Sequence, residues 1–292
     1  MDQEPAESPA TYTTPTHKKV GWAMLSGFLE LTALGQVLAS FLFKVTPDEH
    51  KRAMALRLIS VSTHFFIYQW SDRYPRSMTY GAILEAEHQR NIDSREEIAS
   101  QLLAEHLGAE MTVLDFGCGP GYLARHAAKS VKKLYGADIS QTAILCARQL
   151  NSSANISYQT SKDKDLGAYA DSSLDLIYSF AVVQHIEDDL FEAIIGEFQR
   201  ILKPNGKCVC HVILIEDVEA GESPAQPSFF VKHLRGKLVP PMNRRTEGYV
   251  RRTIEKAGFS APSVAAINEI STIRDDVGQQ HLFVFKKPIA VN

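Results

Sequence analysis

Cysteine is scarce. The four in 292 residues, Cys118, Cys146, Cys208 and Cys210, have neither the paired CxxC spacing of a zinc site nor the density of a disulfide scaffold. No metal ion is expected, and the thiols read as reduced and buried, in a reducing, cytoplasmic compartment. Charge of one sign is missing as well: 31 basic against 34 acidic residues leave a formal net charge of -3, without the basic footprint that a nucleic-acid backbone requires. Nucleic acid is therefore not the expected partner. Internal repeats are absent, and there is no low-complexity segment outside the first residues. What is present, 45% hydrophobic and 22% charged residues, is the composition of a packed globule rather than of a disordered or polytopic membrane protein.

Residues 1–19 combine three prolines and three acids with no apolar periodicity, so they cannot offset ordering entropy and read as a disordered tail. Residues 20–43 are apolar except for Glu30 and scattered Ser, Thr and Gln, long enough to be weighed as a membrane span. Glu30 near the middle costs about 2.5–3.5 kcal/mol on insertion scales. Ser26, Glu30, Gln36 and Ser40 share one sector of a helix, which favours a docked or interfacial helix with one wet face. Peripheral membrane contact through 20–43 is the corollary, with a full span as its rival. Residues 51–70 are again apolar and aromatic, and 70–80 reads as a loop broken by Pro75.

Ser94 and Glu97 have capping-box spacing and predict a helix over 95–107, with Gly108 ending it in the left-handed conformation. Strands are predicted at 111–116, 133–138, 155–159, 174–181, 207–215, 263–268 and 281–286. Helices fall between them at 122–131 and 141–150. Phe191, Ile194, Ile195, Phe198, Ile201 and Leu202 mark one face of another, stopped by Pro204, Asn205 and Gly206. Thr246 caps a last helix that ends before Gly258. Cys208 and Cys210 flank Val209 and fall on one face of their strand, as core thiols. The alternation predicts an α/β fold, a doubly wound, mostly parallel seven-stranded sheet with an N-terminal helical extension. The domains are then a 1–19 tail, a 20–93 helical extension, read as a substrate lid or membrane-associating segment, and a 94–288 α/β domain.

The chemistry concentrates in three segments. Val113-Leu114-Asp115-Phe116-Gly117-Cys118-Gly119-Pro120-Gly121 places glycines at alternate positions between a strand and a helix, where a sharp turn must let a ligand touch backbone. The dinucleotide fingerprint requires its third glycine at position 122, which is Tyr122, so the loop favours a smaller ligand end, such as an amino acid, over a pyrophosphate. Asp138 ends the next strand beside that loop, where it can accept both ribose hydroxyls of a nucleoside or simply cap the following helix. His185 follows the fourth strand at the same edge, as a base near neutral pH or as a hydrogen-bonded turn residue before Glu187, Asp188 and Asp189.

The segments VLDFGCGPG, GADIS, LDLIYSFAVVQHI, QRILKPNG and IEKAGF, in this order, resemble the class I S-adenosylmethionine-dependent methyltransferases of small-molecule type, over roughly 94–288. Asn205 in the KPNG turn and Leu174 before Asp175 depart from the family pattern. The resemblance implies a Rossmann-like fold with S-adenosyl-L-methionine as cofactor. It places Asp115, Gly117, Gly119 and Gly121, with Phe116 and Cys118 between them, around the methionine end. It also places Asp138 on the ribose, Ile139 against adenine, Asp163 near the adenine amine, and the backbone of Ser179 and Phe180 toward the methionine amino group.

A ligand at one edge of an open α/β sheet is only half covered unless other segments close over it. Residues 20–80 and 216–245 are the spare material, rich in aromatics, and Tyr80, Phe229 and Phe230 are the expected acceptor contacts. Packing of these segments on helices alone is the plainer expectation. Methyl transfer to a small-molecule or lipid-like acceptor is the leading function. A catalytically silent cofactor-binding subunit is the alternative, and a nicotinamide oxidoreductase is opposed by Tyr122.

Overall fold

The computed structural model describes residues 33–60, 74–75, 77–161, 166–215, 243–273 and 279–289. The predicted tail and Glu30 lie outside them. The strands are β1 (Thr112–Phe116), β2 (Lys133–Asp138), β3 (Ile156–Thr160), β4 (Leu174–Ser179), β5 (Leu202–Ile213), β6 (Ser263–Ala266) and β7 (Gln280–Lys286). They form one sheet in the order β3-β2-β1-β4-β5-β7-β6, parallel except for β7, which runs against both neighbours. Strands covered on both faces must be apolar nearly throughout. Val113, Leu114, Leu134, Leu176, Ile177 and Tyr178 are accordingly fully buried.

Helices α1 (Ala33–Val45), α2 (Asp48–Ser60) and α3 (Tyr80–Ile98) precede the sheet, and α4 (Tyr122–Ala127), α5 (Gln141–Leu150), α6 (Asp188–Ile201), α7 (Glu247–Lys256) and the short α8 (Ile267–Ile270) are interleaved with it. The predicted face of α6 is buried: Phe191, Ile194, Ile195, Phe198 and Ile201 are each at most 1% exposed. At roughly 1.5–3 kcal/mol per buried side chain of this size, that face anchors the helix. Leu202 belongs to the strand, not to the helix, because its backbone has turned to ψ 140°. Asn205 adopts φ 64°, a conformation Asn tolerates better than most residues, which explains how it stands in a glycine-type turn. All four cysteines are free and buried, and the sulfurs of Cys208 and Cys210 lie 3.5 Å apart on one face of β5.

Three expectations are corrected. No helix begins at Ser94: α3 starts at Tyr80, with the Thr79 hydroxyl accepting from the Ala82 amide, and runs on through a π turn (Ala99–Leu103) and a 3-10 turn (Ala104–His106). Ser94 instead donates to the Asn91 carbonyl, the usual outlet for a serine inside a helix. The boundary expected between 93 and 94 thus falls inside a helix, and Tyr80 opens that helix rather than closing a loop. Gly108 is not left-handed, because Leu107 has already left the helix in an extended conformation.

The third correction concerns α1. Gln36 and Ser40, expected on a wet face, are partly buried, whereas Leu34, Val37, Phe41 and Val45 are 56–69% exposed. The helix turns its small and aromatic face, Ala39 and Phe43, inward. There α1 and α2 dock on α5, and Phe43, Ala55, Leu56 and Ile59 share a cluster with Ile83, Leu84, Tyr122 and Cys146. The described part of the extension therefore packs on helices. Among the described residues no helix is long and apolar enough to cross a membrane.

Candidate functional site

The chain leaves β1 toward β2 and β3, then returns on the other side of β1 as β4, which makes the β1–β4 edge the topological switch point. Ligands of open α/β sheets bind outside the carboxyl ends of strands at this place. Residues 117–121 lie there. The amides of Gly117 and Cys118 both donate to the Ala137 carbonyl, at 2.8 and 3.0 Å, tying the loop to β2. Gly117 (φ 75°) and Gly121 (φ 80°) have no room for a side chain: a Cβ would lie 2.3 Å from Val182 and 2.4 Å from the Tyr158 hydroxyl. Gly119 is left-handed too, at φ 50°.

Asp138 organises this loop directly. Its Oδ2 accepts from the Gly119 amide and its Oδ1 from the Ser140 amide, both at 2.8 Å, and the residue is 5% exposed. The cap of α5 is Ser140, whose hydroxyl accepts from the Ala143 amide. Each carboxylate oxygen keeps a further lone pair, so accepting a ligand hydroxyl is not precluded. Beside it Ile139 is 57% exposed, an apolar side chain left open at a strand end. Asn151 braces the loop from behind: its amide donates to the Pro120 carbonyl, and its own carbonyl accepts from the Tyr158 hydroxyl. Neither Asn151 nor Tyr158 carries a local sequence signal for this role.

Asp115, at the end of β1, is 2% exposed, and its Oδ2 has no hydrogen-bond partner among the described residues. Burial pushes its pKa up to about 8; the Tyr178 hydroxyl opposes this and the Asp138 carboxylate adds to it. That hydroxyl is near enough to act on the charge but lacks hydrogen-bond geometry with any partner among the described residues. The Ser179 hydroxyl and Gln184 Oε1 are likewise buried and unpartnered among the described residues. A buried carboxylate short of one donor, a glycine-lined turn and an open apolar side chain fit the ammonium, the close backbone approach and the adenine of S-adenosylmethionine.

The raised pKa gives a test in the ligand-free protein. An unfolded Asp ionises near 4, whereas folded Asp115 holds its proton until about 8, so its contribution to stability falls as pH rises between those values. The advantage in melting temperature of Asp115→Asn over wild type should therefore grow from pH 5 to pH 8 and then level off. A difference that stays constant with pH would show that Asp115 titrates normally.

After β4, Phe180 stacks on His211, with ring centroids 4.5 Å apart and planes 17° apart. Ala181 takes the left-handed conformation at φ 60°, and its amide donates to His211 Nδ1 at 3.1 Å. His185 is exposed at the end of the short turn Val183–His185. Tyr80 is 43% exposed, with its hydroxyl 2.7 Å from Ser60 in the helical extension. Asp163, Phe229 and Phe230 lie outside the described residues. The site thus brings together Asp115, Phe116, Gly117, Cys118, Gly119, Gly121, Asp138, Ile139, Ser179 and Phe180. Sequence reasoning missed His211, Asn243 and Arg245, which reach this edge only through long-range contacts.

A methyltransferase domain family matches residues 114–210. The chain is 32% identical over 136 residues to a ubiquinone biosynthesis O-methyltransferase of Cereibacter sphaeroides, covering 43% of this chain and 54% of that one. It is 31% identical over 94 residues to an N-demethylindolmycin N-methyltransferase of Streptomyces griseus, covering 32% and 40% of the two chains. This chain thus spans about half or less of these curated relatives. The solved structure of Haemonchus contortus phosphoethanolamine N-methyltransferase 2 in complex with S-adenosyl-L-methionine superposes with a TM-score of 0.52 at 17% identity, over 80% of this chain and 59% of that one. That likeness is one of fold. With the glycine loop at the switch point, the acid ending β2 and the matched segment lying across both, residues 114–210 form a class I S-adenosylmethionine-dependent methyltransferase domain.

Proposed function

We propose that this protein transfers the methyl group of S-adenosylmethionine to a small-molecule or lipid-like acceptor at the β1–β4 edge. The observation that carries the reading is the conjunction of the left-handed glycine loop with Asp138, which fixes that loop through the Gly119 amide. When bound, the cofactor supplies a methyl group on a sulfonium whose leaving group is a neutral thioether. Asp115, Phe116, Gly117, Cys118, Gly119 and Gly121 hold its methionine end, Asp138 its ribose and Ile139 its adenine. Ser179 and Phe180 contribute backbone toward the amino group, and Asp163 is assigned to the adenine amine.

The protein has little proton chemistry to do at sulfur. Its task is to hold the nucleophile in line and to exclude water. His185, exposed on the turn after β4, takes the proton of a hydroxyl or amine acceptor. Relatives named for O- and for N-methylation favour a small-molecule acceptor without choosing between those chemistries. The exposed Leu34, Val37, Phe41 and Val45 favour an apolar acceptor or peripheral lipid contact. The silent-subunit alternative would be favoured by erosion of the loop or of Asp138, and both are intact.

Incubating the full chain with methyl-labelled cofactor and cell extract should put label in an apolar small-molecule fraction. Label in protein or nucleic acid would reject the acceptor class, and cofactor binding with no labelled fraction would favour the silent subunit. On the labelled fraction, His185→Ala should lower turnover and alter its pH dependence while leaving cofactor affinity unchanged. Unaltered turnover at every pH would leave positioning alone as the mechanism.

A further inference from the structure

Beyond the expected site, one buried cation holds the turn that carries His185. Arg245 has a side chain only 2% exposed, lying between β5 and the turn after β4. Its Nη1 donates to the Val183 carbonyl at 2.7 Å, its Nη2 to the Ile186 carbonyl, and its Nε to Asp188 at 2.9 Å. The guanidinium also sits over the Phe191 ring, 4.4 Å from its centroid. Two residues earlier, the Asn243 amide donates to the Gln184 carbonyl at 2.6 Å and its side chain to the Ile186 carbonyl at 3.0 Å. The carbonyls of 183, 184 and 186 are thus all held by residues 243–245, on both sides of His185.

The other end of the clamp is equally fixed. The backbone of Arg245 bridges Leu214 in parallel, and its carbonyl accepts from the Ile215 amide at 3.0 Å, so position 245 is tied to the strand next to β4. The turn needs such support. Its backbone closes through His185 to Val182 at 2.8 Å and Ile186 to Val183 at 3.3 Å, and it follows Ala181 in an unfavourable left-handed backbone. A buried guanidinium is costly unless every donor is satisfied. The Asp188 side chain is 63% exposed, so its charge is screened by solvent, and the carbonyls and the ring are the buried partners.

We propose that Arg245 is a positioning residue for the transfer, holding His185 at the site through the carbonyls of Val183 and Ile186. This rests on the functional reading above. The planar fork presents Nη1 and Nη2 to two carbonyls in a fixed geometry, which the compact ammonium of a lysine does not reproduce.

The test compares full-chain wild type with Arg245→Met, Arg245→Lys, Asn243→Ala and Asp188→Asn. Arg245→Met should speed amide exchange at residues 184–187 by about tenfold or more. It should also move the His185 imidazole resonance toward its free-peptide position while the His126 and His281 resonances stay in place. Affinity for S-adenosylhomocysteine, the probe, should be unchanged. Turnover on the extract fraction that wild type labels should fall by about tenfold or more. Arg245→Lys should fall in between, Asn243→Ala should show a smaller loosening, and Asp188→Asn should leave the turn as it is.

Exchange and a His185 resonance unchanged in Arg245→Met would overturn the proposal. So would an equal loosening in Asp188→Asn, which would make the ion pair the holding contact. If Arg245→Met does not fold, an unchanged turn in both Arg245→Lys and Asn243→Ala overturns it instead. Failure of wild type to bind S-adenosylhomocysteine would count against the functional reading alone, because exchange and the His185 resonance still judge the clamp.

Discussion

Asp138→Ala is expected to cost at least about tenfold in affinity for S-adenosylmethionine and to loosen the glycine loop even without ligand. In wild type the carboxylate accepts from the Gly119 and Ser140 amides, and it is buried. Hydrogen bonds to a charged acceptor are worth roughly 1.5–3 kcal/mol each, and a buried amide left without a partner costs about 1–3 kcal/mol. Alanine removes both bonds and, on the proposed function, the ribose acceptor as well. The variant should melt lower than wild type, and calorimetry should find weakened cofactor binding. Asp138→Asn can still accept one of the amide bonds and should lie between the two. Unchanged affinity in Asp138→Ala would remove Asp138 from the cofactor site.

Gly121→Val should abolish cofactor binding outright. The backbone at φ 80° disfavours any residue with a Cβ, and here the Cβ would also lie 2.4 Å from the Tyr158 hydroxyl. Tyr158 cannot yield cheaply. Its ring is buried between Gly121 and Gly136, and its hydroxyl donates to the Asn151 carbonyl. Asn151 in turn holds the Pro120 carbonyl, so displacing the tyrosine moves the loop that the valine occupies. Overpacking of this kind typically costs about 1–3 kcal/mol, to which the strained backbone adds. The far strands β5–β7 are separated from β2 and β3 by β1 and β4 in the sheet and should keep their amide protection. Normal binding by Gly121→Val would show that the loop does not form the site.

The strands, and the helices between them, were legible because burial on both sheet faces forces apolar runs and one-faced helices force three- and four-residue spacing. β2 and α5 fall where the pattern put them, and the thiols of Cys208 and Cys210 share a face as their alternation with Val209 required. What failed was local chemistry read without tertiary context. The spacing from Ser94 to Glu97 satisfies a capping box, yet Ile83, Leu84 and His88 are buried one to three turns earlier and carry the helix straight through it. On α1, polarity suggested which face was wet, whereas the packing of Ala39 and Phe43 against the core chose the opposite arrangement. In the site, motif residues were visible because glycine and aspartate are demanded by backbone geometry and charge at fixed offsets. Arg245 was not, since its partners lie about sixty residues away and nothing in its own neighbourhood reveals which carbonyls it meets.

The most direct measurement is a calorimetric titration of the full chain with S-adenosylmethionine, repeated with NAD and then with Asp138→Ala and Gly121→Val. Saturable binding of S-adenosylmethionine alone, weakened in the first variant and lost in the second, is the expected result. Binding of NAD in its place, or S-adenosylmethionine binding indifferent to both substitutions, would contradict a methyl-donor site at the β1–β4 edge.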